Sequence, residues 1–226
     1  MISQYNHLLW IFTQLPNDYI VLDTETTGLA DEKGLPDIVT LGITMVRNRE
    51  IAESIEFEIR PQKRISEEAQ AVHGISNEQA AKFESFESQW SQIADYLKDQ
   101  LIVIHNASFD WPILLDHVAR YGLEMPEIQG VFCSQKAATP WAQAMNLPCS
   151  QRGPSLDTLT KALGVEDLRA EGNGIHGAKI DSLQTAWIID VMRCCGNMDG
   201  VKQEKPQTAL KNIEVLVGGK VIPPKK

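Results

Sequence analysis

Two short, uninterrupted apolar runs, Tyr19-Ile20-Val21-Leu22 and Leu101-Ile102-Val103-Ile104, each break abruptly into polar residues. Four apolar residues are too few for a buried helix, and these runs lack the alternation of a half-exposed strand. They read as strands covered on both faces, which demands helices above and below them. The second run leads directly into a helical pattern at Asp110–Tyr121, where Trp111, Leu114, Leu115 and Val118 share one face. Ile38–Val46 and Ile51–Ile59 read as two further strands joined by the polar turn Arg47-Asn48-Arg49-Glu50, an antiparallel hairpin with Glu56 and Glu58 toward water. A hairpin followed by alternating strand and helix defines an α/β chain built on one mixed sheet.

The remaining pattern fills in around that sheet. Tyr5, Leu8, Leu9, Phe12 and Leu15 form the stripe of an amphipathic docking helix over about residues 4–15. Short helical pieces from Ser66 break at His73-Gly74, and a longer helix lies around Trp90–Leu97. Asn106 or Ser108 is placed to cap the Asp110–Tyr121 helix, Pro112 suits its first turn and Gly122 ends it. A strand near Val131–Cys133 precedes two helices, and a last long helix runs from about Lys179 to Cys194. The 226 residues suffice for one sizeable core, expected at 1–196, with a loose Gly-, Pro- and Lys-rich tail at 197–226.

Charge divides the chain the same way. Residues 1–200 hold 15 basic and 28 acidic groups, whereas residues 201–226 hold six Lys and two Glu. A net charge of −9 argues on its face against a broad basic grip on nucleic acid. Cys133, Cys149, Cys194 and Cys195 show no C-x-x-C spacing, so reduced thiols are expected, with the adjacent Cys194–Cys195 packing in a helix. No apolar stretch approaches a membrane span and no signal-peptide pattern opens the chain, so the expected location is cytoplasmic, with no membrane partner.

Asp23-Thr24-Glu25 puts two carboxylates at i and i+2 on the end of a buried strand, hence on one side of the sheet. Like charges so placed are tolerable only with a cation nearby. Glu56-Phe57-Glu58 has the same spacing but alternates with apolar residues and reads as a solvated face. Asp110 adds a third carboxylate at a helix start beyond a buried strand, where ligand sites recur in open α/β sheets; complementing the helix dipole is the alternative. In His-Gly-Ala-Lys-Ile-Asp, residues 176–181, an imidazole stands in a loop and a carboxylate one turn into the last helix. His7 and His117 lie on helices as surface or packing residues, and His105 at a strand end suits a hydrogen-bonded structural role.

Taken in order, Asp-Thr-Glu-Thr-Thr-Gly-Leu (23–29), His-Asn-Ala-Ser-Phe-Asp (105–110) and His-Gly-Ala-Lys-Ile-Asp (176–181) resemble the three motifs of DEDD-superfamily exonucleases of the histidine subtype, over about Tyr19–Arg193. Val-His-Gly-Ile (72–75) and Ser-Leu-Asp-Thr-Leu (155–159) are secondary matches, and Ser182 stands where Ala is usual, a small-for-small change expected to matter little. The resemblance implies a ribonuclease-H-like mixed sheet with helices on both faces. It also implies a 3′→5′ exonuclease releasing 5′-mononucleotides with two divalent ions, Mg²⁺ or Mn²⁺. It assigns the ligand role to Asp23, Glu25, Asp110 and Asp181, with Asp23 bridging, and the general-base role to His176. The Gly172–Gly177 surroundings then suggest a loop that places His176 only when substrate binds.

Substrate contacts fall by the same resemblance on Thr26, Leu29, Glu68, His73, Asn106 and Phe109, with Leu29 and Phe109 wedged against the last bases or, alternatively, packed beneath the site. DNA 3′ ends are the expected substrate, RNA ends the alternative, and a polymerase-associated proofreading module the reading from another class. Gln207-Thr208-Ala209-Leu210 in the basic tail weakly matches a sliding-clamp peptide, without its aromatic anchor. Two bound ions would turn an acidic cleft into one that attracts phosphate, so the net charge of −9 does not exclude a nucleic-acid substrate.

Overall fold

The computed structural model describes residues 4–32, 34–172, 174–197, 215–217 and 220–222. Five strands, β1 (Tyr19–Thr26), β2 (Ile38–Arg47), β3 (Glu50–Glu58), β4 (Leu101–Ile104) and β5 (Gly130–Cys133), form one sheet in the order β3-β2-β1-β4-β5. β1 pairs antiparallel with β2 and parallel with β4, and β4 runs parallel to β5. The β2–β3 hairpin turns on Asn48 and Arg49, both with positive φ, the backbone a two-residue turn between twisted strands requires.

The helices are α1 (Trp10–Thr13), α2 (Glu67–His73), α3 (Asn77–Ala80), α4 (Phe86–Leu97), α5 (Ala107–Arg120), α6 (Ser134–Ala144), α7 (Leu156–Leu163) and α8 (Ala178–Gly196). Alternation along β1 sorts the core into two layers. Ile20 and Leu22 pack with Trp90 and Ile93 of α4 and Leu114 and Val118 of α5. Tyr19 and Val21 face the other way, onto Trp141 of α6, Leu159 of α7 and Ile188 and Ile189 of α8. The mixed sheet is therefore covered on both faces, as expected.

Several local expectations are corrected. The N-terminal helix is a 3-10 turn (Asn6–Leu9) followed by the single turn α1, because the buried Leu9, Phe12 and Leu15 recur every third residue. Arg193 of α8 donates to the carbonyls of Phe12, Leu15 and Pro16, satisfying the end of that segment. α5 starts earlier than the sequence suggests, so Pro112 lies inside it, and Asn106 precedes it in a left-handed conformation without a side-chain capping bond. Instead the Asn106 Oδ1 accepts from Ser108 Oγ at 2.9 Å.

Cys195 packs on the second core layer, but Cys194 is exposed. Of the two roles expected for His117, surface or packing, it takes packing: it is buried, accepting from the Ile38 amide and donating to the Ile113 carbonyl. In the tail, β6 (Val215–Val217) and β7 (Lys220–Ile222) pair antiparallel. Pro206, Gln207–Leu210, Gly218, Gly219, Pro223 and Pro224 lie outside the described residues. Among the described residues no helix is long and apolar enough to cross a membrane.

Candidate active site

Period-2 geometry sends Asp23 and Glu25 to the face of Tyr19 and Val21, the face that α8 covers, while Thr24 points to the other. There Thr24 donates to Asp110 Oδ1 twice, from its amide at 3.1 Å and from Oγ1 at 2.7 Å. That pair fixes Asp110, in the first turn of α5, against the end of β1.

Asp181 arrives from the first turn of α8, and what lets it arrive is Gly42. This residue pairs with Asp23 across the β1–β2 ladder, and a side chain there would strike the backbone of Ala178 and Lys179. The helix start therefore lies directly on the sheet beside Asp23. Glu56, exposed as expected, is more than a solvated residue, since its Oε1 accepts from the Lys179 amide at 3.0 Å and satisfies an α8 donor.

Ser182 is fully buried, donating to the Lys179 carbonyl at 2.9 Å and meeting Thr44 Oγ1 at 2.8 Å, with Ser54 Oγ 2.9 Å beyond.

One ligand atom each from Glu25, His176 and Asp181 lies within 4.8 Å of the others. The His176 Nδ1 stands 3.5 Å from Asp181 Oδ2, and its amide donates to the Val72 carbonyl at 3.0 Å. In this arrangement the ring rests against Asp181.

Burial and mutual repulsion dominate the electrostatics. Burial, reinforced by Asp110, Asp181 and Glu25, pushes Asp23 well above the usual carboxylate range. Burial and the Asp181 charge push Glu25 up to about 8. Burial also raises Asp110 to about 7, against the opposing hydrogen bonds from Thr24. At Asp181 the balance reverses: burial pushes upward, but hydrogen bonds from His176 and Arg169 hold the group below its ordinary value. The Asp181 hydrogen bond in turn raises His176.

Three of the four carboxylates, Asp23, Glu25 and Asp110, are held above their ordinary range, and the all-oxygen set they form with Asp181 is of the kind that suits hard divalent ions. His105 takes the structural part: burial lowers it to about 4, and its ring nitrogens reach Ser134 Oγ (3.0 Å) and the Pro154 carbonyl (3.2 Å).

Beside the carboxylates opens a cleft of about 830 Å³. Of the expected substrate contacts, Thr26, Leu29, Glu68, His73 and Phe109 line it, and Asn106 does not, being spent on the turn before α5. Leu29 is 78% exposed, which removes core packing as its role, whereas Phe109 is half-buried against the core and also faces the cleft. His73 is buried, its Nδ1 accepts from the Ile75 amide, and burial lowers its pKa.

Sequence reasoning missed Thr24, Gly42 and, most of all, Arg169. The Arg169 Nε and Nη2 each lie 2.6 Å from an Asp181 oxygen, and Nη1 pairs with Asp157. Its only signal was a lone basic residue in the acidic stretch Glu166–Glu171.

The carboxylates thus gather at the end of the central strand of a mixed sheet covered on both faces. The RNase_T (exonuclease) family model matches residues 20–189, and the chain belongs to that family.

The PolC-type DNA polymerase III of Thermotoga maritima is 27% identical over 208 residues, covering 88% of this chain and 14% of that protein. The DNA polymerase III epsilon subunit of Rickettsia prowazekii is 31% identical over 163 residues, covering 72% and 68%. The chain thus spans only a small part of the PolC-type relatives it matches. Exonuclease X in complex with 5′ overhanging duplex DNA superimposes with a TM-score of 0.54 at 24% identity, over 80% of this chain and 94% of that one.

Proposed function

We propose that the chain is a metal-dependent 3′→5′ exonuclease that prefers DNA and releases 5′-mononucleotides by a two-metal mechanism. The observation that carries the reading is the convergence of Asp23, Glu25, Asp110, Asp181 and His176 beside a nucleotide-sized cleft. Asp23, Glu25, Asp110 and Asp181 would hold two Mg²⁺ or Mn²⁺ ions. Such ions, when bound, supply acidification of a water and charge neutralisation at the scissile phosphate.

The chain's own residues do the rest. Asp181 engages Nδ1 of His176, which leaves Nε2 to accept the proton of the attacking water and keeps the ring oriented. Leu29, exposed at the cleft, offers an apolar surface to a terminal base, a contact any base can make. DNA preference draws support from the DNA polymerase III relatives. The same relatives favour a second reading, in which the domain also docks on a polymerase.

Matched DNA and RNA oligonucleotides, with Mg²⁺ or Mn²⁺ and with wild type or Asp23→Ala, test the proposal. DNA is trimmed faster and Asp23→Ala is inert. Faster RNA trimming overturns the DNA preference, and persistent metal-dependent trimming by Asp23→Ala overturns the metal centre.

A further inference from the structure

Arg169 is 7% exposed, and every part of it is engaged. Its Nε and Nη2 fork grips both oxygens of Asp181, Nη1 pairs with Asp157 in the first turn of α7, and its amide donates to Asp167 Oδ1. Its carbonyl accepts from the Gly174 amide at 3.0 Å, two residues before His176. The Leu168 amide beside it donates to Gln184 Oε1 on α8, so this short segment is tied to the helix that carries Asp181.

A buried guanidinium is costly unless its donors are met, and a planar fork on a carboxylate fixes the carboxylate plane as a point charge cannot. An ionised carboxylate has about four acceptor positions. The fork takes one position on each oxygen and His176 approaches Oδ2, so Oδ1 keeps an acceptor position.

We propose that Arg169 is a positioning residue for the reaction: its side chain sets the rotation of Asp181 for cation binding while its backbone closes the loop that presents His176. The inference rests on the metal-dependent exonuclease reading. It also gives Asp157, in the Ser-Leu-Asp-Thr-Leu segment, a part to play, as the anchor that holds the fork in register.

The test titrates Mn²⁺ into the metal-free protein by calorimetry and measures kcat and KM on a DNA oligonucleotide, for wild type, Arg169→Gln, Arg169→Lys and Asp157→Asn. In Arg169→Gln, Mn²⁺ binds about 10–100-fold more weakly and kcat falls by a similar factor, the usual effect of losing a partner of a metal ligand, while KM for the oligonucleotide stays put. Arg169→Lys keeps the charge but not the fork and resembles Arg169→Gln more than wild type. Asp157→Asn shifts both quantities in the same direction by less, and it reads the effect should the Arg169 variants not fold.

Wild-type Mn²⁺ affinity and kcat in Arg169→Gln, with only a lower melting temperature, make Arg169 a structural brace and overturn the proposal. Tighter Mn²⁺ binding in Arg169→Gln overturns it too, since Arg169 would then compete with the ion. Wild-type protein that binds no Mn²⁺ overturns the exonuclease reading as well, which separates the two failures.

Discussion

Gly42→Ala is the substitution in which the fold and the chemistry are hardest to separate. Gly42 pairs with Asp23, and a Cβ built on it falls under 3.0 Å from the Ala178 carbonyl and the Lys179 amide nitrogen, where ordinary contact begins at 3.4 Å. Both neighbours are backbone, so no side chain can swing away; the start of α8 has to lift off the sheet. It carries Asp181 directly, and His176 is chained to it through Gly177.

A retreat of about 1 Å at groups that must act together costs about 10²-fold in rate. Overpacking of this kind costs about 1–3 kcal/mol, which for a chain of this size is roughly 2–12 °C in Tm. Single-turnover trimming of a 5′-labelled oligonucleotide at saturating Mg²⁺, read beside thermal melting, separates the two effects. The rate falls by about two orders of magnitude in protein that is still folded at the assay temperature. Wild-type rate with unchanged Tm refutes the claim that Gly42 sets the distance between Asp23 and the Asp181 helix.

Two further predictions concern stability. Between pH 6.5 and 8 the metal-free protein loses stability as pH rises: Glu25, raised to about 8, holds a proton that the unfolded chain has already released, and the raised His176 holds one that the unfolded chain gives up over the lower part of this range. One such proton is worth about 1.4 kcal/mol per pH unit, so Tm drops by several degrees from pH 6.5 to 8, and Mg²⁺ or Mn²⁺ restores it most at the alkaline end. A Tm that rises over this range in metal-free buffer contradicts the electrostatics. Ser182→Ala breaks the chain running from Ser54 through Thr44 to the Lys179 carbonyl and lowers stability by about 1 kcal/mol, with trimming little changed.

The chemistry was legible where local pattern and position in the fold coincide. An apolar run that ends in Asp23-Thr24-Glu25 can only be a buried strand delivering two acids to one face, and both acids sit there. Asp110 and Asp181 were likewise readable as acids in the first turns of helices.

What escaped was contact between distant segments. Nothing in the periodicity of β2 says that α8 crosses it at Gly42, and an arginine amid acids reads as a solvated residue until α7 and α8 close around it. Asn106 shows the opposite failure. A residue type that commonly caps helices instead adopts a left-handed turn, which Asn tolerates, and bonds its own neighbour. The N-terminal stripe misled because Leu9, Phe12 and Leu15 satisfy a period of three as well as 3.6.

The central claim, that this carboxylate cluster removes nucleotides from 3′ ends with the help of divalent ions, is tested most directly by product analysis on single-stranded DNA labelled at its 5′ end, with Mg²⁺ or with a chelator. Progressive shortening of the labelled strand with Mg²⁺, and none with the chelator, is the predicted result. Immediate release of a labelled mononucleotide, internal cuts, or trimming that survives chelation would contradict it.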